Sequence, residues 1–228
     1  GRIQNAFGAK QKNPQFLMKI LKNIGVGFLV SFLGSIPLGY LNVIGFDIYN
    51  HEGIASVVPY LFGVITVEAF VIYFTLIFAK QLISNKKLLK IIAGFSVLFM
   101  FLLAYIFYAS AAKTSSQTSI LTEYKNHSPY FIGLFLSGLN FIQIPFWVGW
   151  NLYLLNAKYI EMAGSKKYLY VFGTLIGTFC GMLGLILSLH YLTSQTDFFA
   201  KYLMRFIIPA VFIGLGIFQG IQFWRKYL

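Results

Sequence analysis

Six long apolar runs, at 24–49, 54–79, 88–112, 129–155, 168–192 and 203–224, alternate with short polar connections along the chain. Each run has the roughly 17–25 residues that a helix needs to cross a bilayer. Strands of about ten residues alternating polar and apolar, the signature of a membrane barrel, are absent from the pattern. The pattern therefore predicts an all-α polytopic membrane protein with six transmembrane helices.

The two halves of that pattern resemble each other. Phe32-Leu-Gly-Ser-Ile-Pro37-Leu-Gly-Tyr-Leu-Asn42 parallels Leu139-Asn-Phe-Ile-Gln-Ile-Pro145-Phe-Trp-Val-Gly-Trp-Asn151, each with an Ile-Pro inside an apolar run. Leu61-Phe62-Gly63 parallels Val171-Phe172-Gly173 in the next run, and Ile91-Ile92 parallels Ile207-Ile208 in the third. Three spans per half reverse the direction of the second half, so the expected fold is two inverted three-helix repeats. In that arrangement a substrate site lies near mid-membrane, where broken helices from the two halves meet. The expected organisation is a cytoplasmic N-terminal segment at 1–23, a first repeat at 24–112, a polar linker at 113–128 and a second repeat at 129–228. Met18-Lys-Ile-Leu-Lys-Asn looks like a natural start, with a short tail before it. No A-x-A-like cleavage site follows the first run, which is therefore expected to be a retained span.

Composition agrees with this class. Hydrophobic residues make up 58% of the chain and charged residues 11%, with a mean hydropathy of +0.73. Water-soluble domains average about 25% charged residues, which argues strongly against that class. The formal charge of +12 follows topology: 14 of the 18 Lys and Arg fall in the N-terminal segment, the second and fourth connections and the C-terminal tail. The positive-inside rule places both termini in the cytoplasm. These basic residues face anionic lipid headgroups, and no nucleic-acid partner is expected.

Candidate chemistry concentrates where polar residues interrupt the apolar runs. Pro37 and Pro145 each remove a backbone donor and clash with the carbonyl four residues earlier. Such a break is tolerated in lipid only when it is buried in protein or lines a cavity. A structural kink explains one proline; two at matching positions, with Ser35 and Asn42 beside one and Asn140, Gln143 and Asn151 beside the other, favour breaks that contact a ligand. Glu68 is the only charge in the second run, and an ionised acid there costs roughly 2.5–3.5 kcal/mol. It could be a proton-coupling site, a ligand for a cationic substrate, or a structural acid bonded to another helix. Its neighbours Val64, Ile65, Val71 and Ile72 offer no polar stripe, so any partner must come from elsewhere, most directly from the breaks at Pro37 or Pro145.

Other polar and small residues read more simply. Asp47, His51 and Glu52 end the first run and are expected to be solvated at the interface. His127 lies in a loop and His190 near the end of its run. No two histidines share a face, and Cys180 is the sole cysteine, so neither a metal centre nor any cofactor is expected. Gly173, Gly177, Gly181 and Gly184, with Gly216 and Gly220, form faces that let another helix approach closely. Tight packing is their first reading, and a homodimer through these faces is the partner they allow. Trp224 with Arg225 and Lys226 reads as an interface anchor.

The segment Ser35-Ile-Pro37-Leu-Gly39-Tyr-Leu-Asn42, followed by Gly53, Gly63 and Glu68, resembles the LysE/RhtB superfamily of small six-span exporters, whose first span carries a Pro-Gly-Pro-Asn element. Gly138-Leu-Asn140 through Pro145-Phe-Trp147 is similar to the family's second Asn/Pro element. The chain departs from the family at Leu38 and Tyr40, and in having Asn50-His51-Glu52-Gly53 where a basic connection is usual. The resemblance implies export of amino acids or similar small metabolites driven by the proton gradient.

Together these features lead to an expected inner-membrane secondary transporter with no enzymatic activity. Pro37, Gly39, Asn42, Asn140, Gln143, Pro145 and Asn151 are the expected substrate contacts, and Glu68 is the expected proton-coupling group. No phosphate-binding Gly-x-x-x-x-Gly-Lys-Ser/Thr occurs, so ATP coupling within the chain is unsupported. The alternatives are a non-catalytic membrane subunit or scaffold and, with no nucleophile or paired carboxylates in view, a membrane-embedded lipid-modifying enzyme.

Overall fold

The computed structural model describes residues 14–36, 39–113, 128–195 and 206–227. Pro37, His127 and nearly all of the expected linker fall outside them. Every regular element among the described residues is a helix. They are α1 (Pro14–Ser35), α2 (Tyr40–Glu52), α3 (Ile54–Ser84), α4 (Lys86–Lys113), α5 (Pro129–Gly138), α6 (Gln143–Asn156), α7 (Lys166–Gln195) and α8 (Ile208–Tyr227).

The first and fourth apolar runs are each two helices rather than one. The chain bends by 77° between α1 and α2 and by 72° between α5 and α6. The second break lies at 139–142, upstream of Pro145, which sits in the first turn of α6. A proline there loses no intrahelical hydrogen bond, so it starts the new helix instead of kinking an existing one. Two helices, α3 over Ile54–Ala79 and α7 over Lys166–Ser194, are long and apolar enough to cross a membrane. Counting each bent pair as one span gives up to four.

Side-chain amides close the two breaks. Asn42 Nδ2 donates to the Ser35 carbonyl at 3.0 Å, and Gln143 Nε2 donates to the Ser137 carbonyl at 2.9 Å. Each amide comes from the first turn of the later helix and satisfies a carbonyl at the end of the earlier one, groups that lipid could not serve.

The most extensive helix contacts are α1 along α7, α3 along α5 and α4 along α8. Glycine makes the first two possible. A β-carbon on Gly173 would overlap the Ile24 carbonyl oxygen, and one on Gly63 would overlap that of Tyr130. Reciprocally, Gly27 faces the Tyr170 carbonyl and Gly133 faces that of Tyr60. Ile24, Gly27 and Ser31 precede Tyr130, Gly133 and Ser137 by one constant interval, and Tyr60, Gly63 and Glu68 precede Tyr170, Gly173 and Thr178 by another. Each crossing thus reproduces the other with corresponding residues. Gly177 and Gly181 extend the α7 face against Phe28 and Phe32 of α1, so these glycines are filled within the chain and cannot seat a second copy. Gly216 meets the Phe101 ring, whereas Gly184 has nothing near it.

Two buried clusters flank the middle of the molecule. One joins α2, α3, α4, α7 and α8 around Val43, Tyr60, Ile186 and Phe212. The other joins α3, α6 and α7 around Ile72, Trp147, Leu154 and Tyr170. Hydrogen bonds tie the ends: Asn23 Nδ2 donates to the carbonyls of Glu161 and Lys166 at one end, and Asn50 and His190 pair at 2.8 Å at the other.

Gly63→Ala is expected to lower stability by about 1–3 kcal/mol, because backbone must move to admit the methyl. Gly184→Ala, in open space, should be neutral or slightly stabilising. Melting temperatures of the two variants in one detergent check this; equal melting would contradict the close crossing.

Candidate functional site

The two breaks face each other across a cavity of about 300 Å³. Its wall comes from the end of α1, the starts of α2 and α6, the end of α5, and the middles of α3, α4, α7 and α8. Glu68 projects into it from α3. Trp147 of α6 donates its indole Nε1–H to Glu68 Oε1 at 3.3 Å. The carboxyl's partner thus comes from another helix, two residues beyond Pro145. Thr178 of α7 lies beside the same carboxyl, and its hydroxyl pairs with Ser31 of α1 at 2.5 Å. Glu68 Oε2 is buried without a hydrogen-bond partner among the described residues, as is Asn140 Oδ1.

Of the expected site residues, Gly39, Asn42, Glu68, Asn140 and Gln143 border the cavity. Gln143 does so with its amide N–H already engaged by Ser137. Pro145 and Asn151 do not border it. Asn151 is fully buried between helices; its Nδ2 donates to Thr75 Oγ1 at 3.1 Å, and its Oδ1 accepts from Tyr170 at 2.8 Å. It ties α6 to α3 and α7 and stands outside the lining of the cavity. Asp47 also departs from expectation: it is 4% exposed and lies 3.4 Å from His51 one turn later.

Sequence reasoning left out Ser31, Ser137, Thr178 and Gln219, all of which line the cavity. Small hydroxyls are common in apolar helices, and nothing in their local pattern separates a cavity hydroxyl from one that turns back on its own helix, as Thr75 does toward Val71. One signal was available: Ser31 and Ser137 are counterparts in the two halves, as are Glu68 and Thr178.

The starts of α2 and α6 carry no side-chain cap; the Asn42 N–H is met by the Gly39 carbonyl at 3.0 Å, and the Gln143 and Ile144 N–H groups by the carbonyls of Asn140 and Phe141 at 3.2 and 3.1 Å. The lining is otherwise largely apolar, with Met100, Met182, Phe146 and Phe212 among its members. Among the described residues no three His, Cys, Asp or Glu side chains group as metal ligands would. The arrangement can hold a small solute against one carboxyl and several amide and hydroxyl groups, and can move a proton to or from that carboxyl.

Fold and site together define a helical protein, with helices suited to a membrane, built around a mainly apolar cavity that holds one carboxyl at two helix breaks. Compared with protein-family models, with curated proteins and with solved structures, the chain matches none.

Replacing Asn151 with Leu should destabilise the protein by about 1–3 kcal/mol, since Tyr170 and Thr75 lose a buried partner, while ligand affinity in the folded fraction stays within about twofold. Thermal unfolding alongside ligand titration checks this. A stable variant with lost binding would restore Asn151 to the site.

Proposed function

We propose that the chain is a six-span secondary transporter of the inner membrane that exports amino acids or similar small metabolites, driven by the proton gradient. The observation that carries this reading is the mid-chain cavity where two broken helices meet on a lone carboxyl, Glu68. A buried ionisable group in a membrane helix is costly, and its usual use is in a substrate or proton path. The reciprocal crossings of α1 with α7 and α3 with α5 support two inverted three-helix repeats, with α4 and α8 as the remaining spans. The resemblance of the Pro37–Asn42 and Gly138–Trp147 segments to the LysE/RhtB superfamily supports the same class. Lys22, Lys158 and Lys166 share one end of the molecule, which agrees with a cytoplasmic N-terminus.

The test is transport. An untargeted comparison of solutes accumulated by cells with and without the protein identifies the substrate, and reconstitution in vesicles with an imposed proton gradient measures coupling. Glu68→Gln should abolish gradient-driven movement while leaving the protein folded and inserted, because Gln keeps the shape and hydrogen bonding but cannot titrate. Glu68→Asp should retain part of the rate with a displaced pH dependence. Full gradient-driven transport by a folded Gln variant would sink the coupling role. If both variants changed stability alone and the wild type moved nothing, the protein would instead be a membrane scaffold.

A further inference from the structure

Donors and acceptors in the cavity do not balance. Its described lining holds one carboxyl, Glu68, and no Lys, Arg, His or Asp from any helix that packs around it. The other titratable side chain there is Tyr40, whose phenol donates to the Leu136 carbonyl at 2.6 Å. The groups nearest Glu68 from α6 and α7 are Trp147 and Thr178, neither of which titrates. Two buried acceptors are left over, Glu68 Oε2 and Asn140 Oδ1, from α3 and the α5–α6 break. A buried acceptor without a donor costs about 1–3 kcal/mol, and more when it is charged.

A group that answers this deficit must bring several N–H donors and a positive charge. An ammonium does both, with three donors and no acceptor. Aromatic side chains at Trp147, Phe146 and Tyr40 wall the same space and suit a cation. The apolar remainder, including Met100, Met182 and Phe212, suits a short hydrocarbon body. An anionic solute would find no basic side chain and would face the Glu68 charge.

We infer that Glu68 is the common seat of the coupling proton and of a substrate ammonium group, which exclude one another; the inference rests on the transport reading above. The substrate class is a small solute bearing a primary ammonium on an apolar body, steadied by Asn140. Charge balances in each half-cycle. When the ammonium leaves, the carboxylate takes one proton; that proton departs to solvent before another ammonium docks. In both loaded states Glu68 is neutralised, and the bare carboxylate is the costly state in a membrane interior. One seat for two cations ties amine movement to proton movement in the opposite direction.

Equilibrium binding separates this inference from transport. The purified protein in lipid nanodiscs is titrated with n-pentylamine, n-pentanol and n-pentanoate, by tryptophan fluorescence, from about pH 5 to about pH 9, where the amine stays protonated. Pentylamine affinity should rise about tenfold per pH unit while Glu68 is protonated, with one proton released per amine bound, and then level off with none released. The alcohol and the carboxylate should bind at least about tenfold more weakly, without that slope. Glu68→Gln should lose both the slope and most of the affinity; Asn140→Ala should weaken binding and keep the slope. Pentylamine binding by the wild type that is absent, independent of pH or matched by pentanol would overturn the inference, whatever the variants do. Proton-linked amine binding by a protein that moves nothing across vesicles would sink the transport reading and leave the shared seat standing; transport without proton-linked binding would do the reverse.

Discussion

A helix that ends away from water leaves carbonyl and amide groups that need partners within the protein, and this molecule has two helix breaks that face each other across one cavity. The Ser35 and Ser137 carbonyls are met by Asn42 and Gln143, side chains from the first turn of the helix that follows each break. With the chain reversing direction only partly at each break, the half-helices must be buried by α3 and α7. That burial demands close approach, which Gly27, Gly63, Gly133 and Gly173 provide at backbone distance. In lipid, apolar side chains gain little by leaving one hydrocarbon environment for another, so small residues and interhelical hydrogen bonds carry the association.

The cavity is what the breaks leave behind. Two short helices that start near the middle of the structure cannot fill the space on their axis, and that space collects Glu68, Trp147, Thr178 and Asn140. The correspondence of residues between the two helix crossings makes the single acid informative. Thr178 occupies in the second half the place Glu68 has in the first, and the two side chains lie together. One of the two corresponding positions supplies the titratable group and the other a hydroxyl next to it, so they are not chemically equivalent.

Much of this could be read from residues alone, for definite reasons. Glu68 was visible because one charge in a long apolar run is expensive, and the breaks were visible because proline and amides do not belong in the middle of a spanning helix. The position of the second break was misjudged. Proline is destructive inside a helix but welcome in its first turn, so Pro145 marks the start of α6 and the break falls before it. Sequence does not separate Asn151 from the amides that border the cavity, since a buried amide can serve a ligand or tie three helices, and its Thr75 and Tyr170 bonds show the second arrangement. Nothing in the sequence marks Gly27 and Gly133, because a single glycine in an apolar helix carries no signal until its opposite carbonyl is known. Asp47 looked interfacial by its place near a polar turn, yet α2 buries it with Val43, Ile44 and Ile48.

The central claim is that the Glu68 carboxyl takes and releases a proton inside the cavity. Infrared difference spectroscopy of the protein in lipid tests it directly, with the Glu68→Gln variant as reference. A protonated-carboxyl carbonyl band should be present at acid pH, vanish reversibly as pH is raised, vanish also on addition of pentylamine at fixed pH, and be missing from the Gln variant. A Glu68 band that stays constant under both changes would contradict the account.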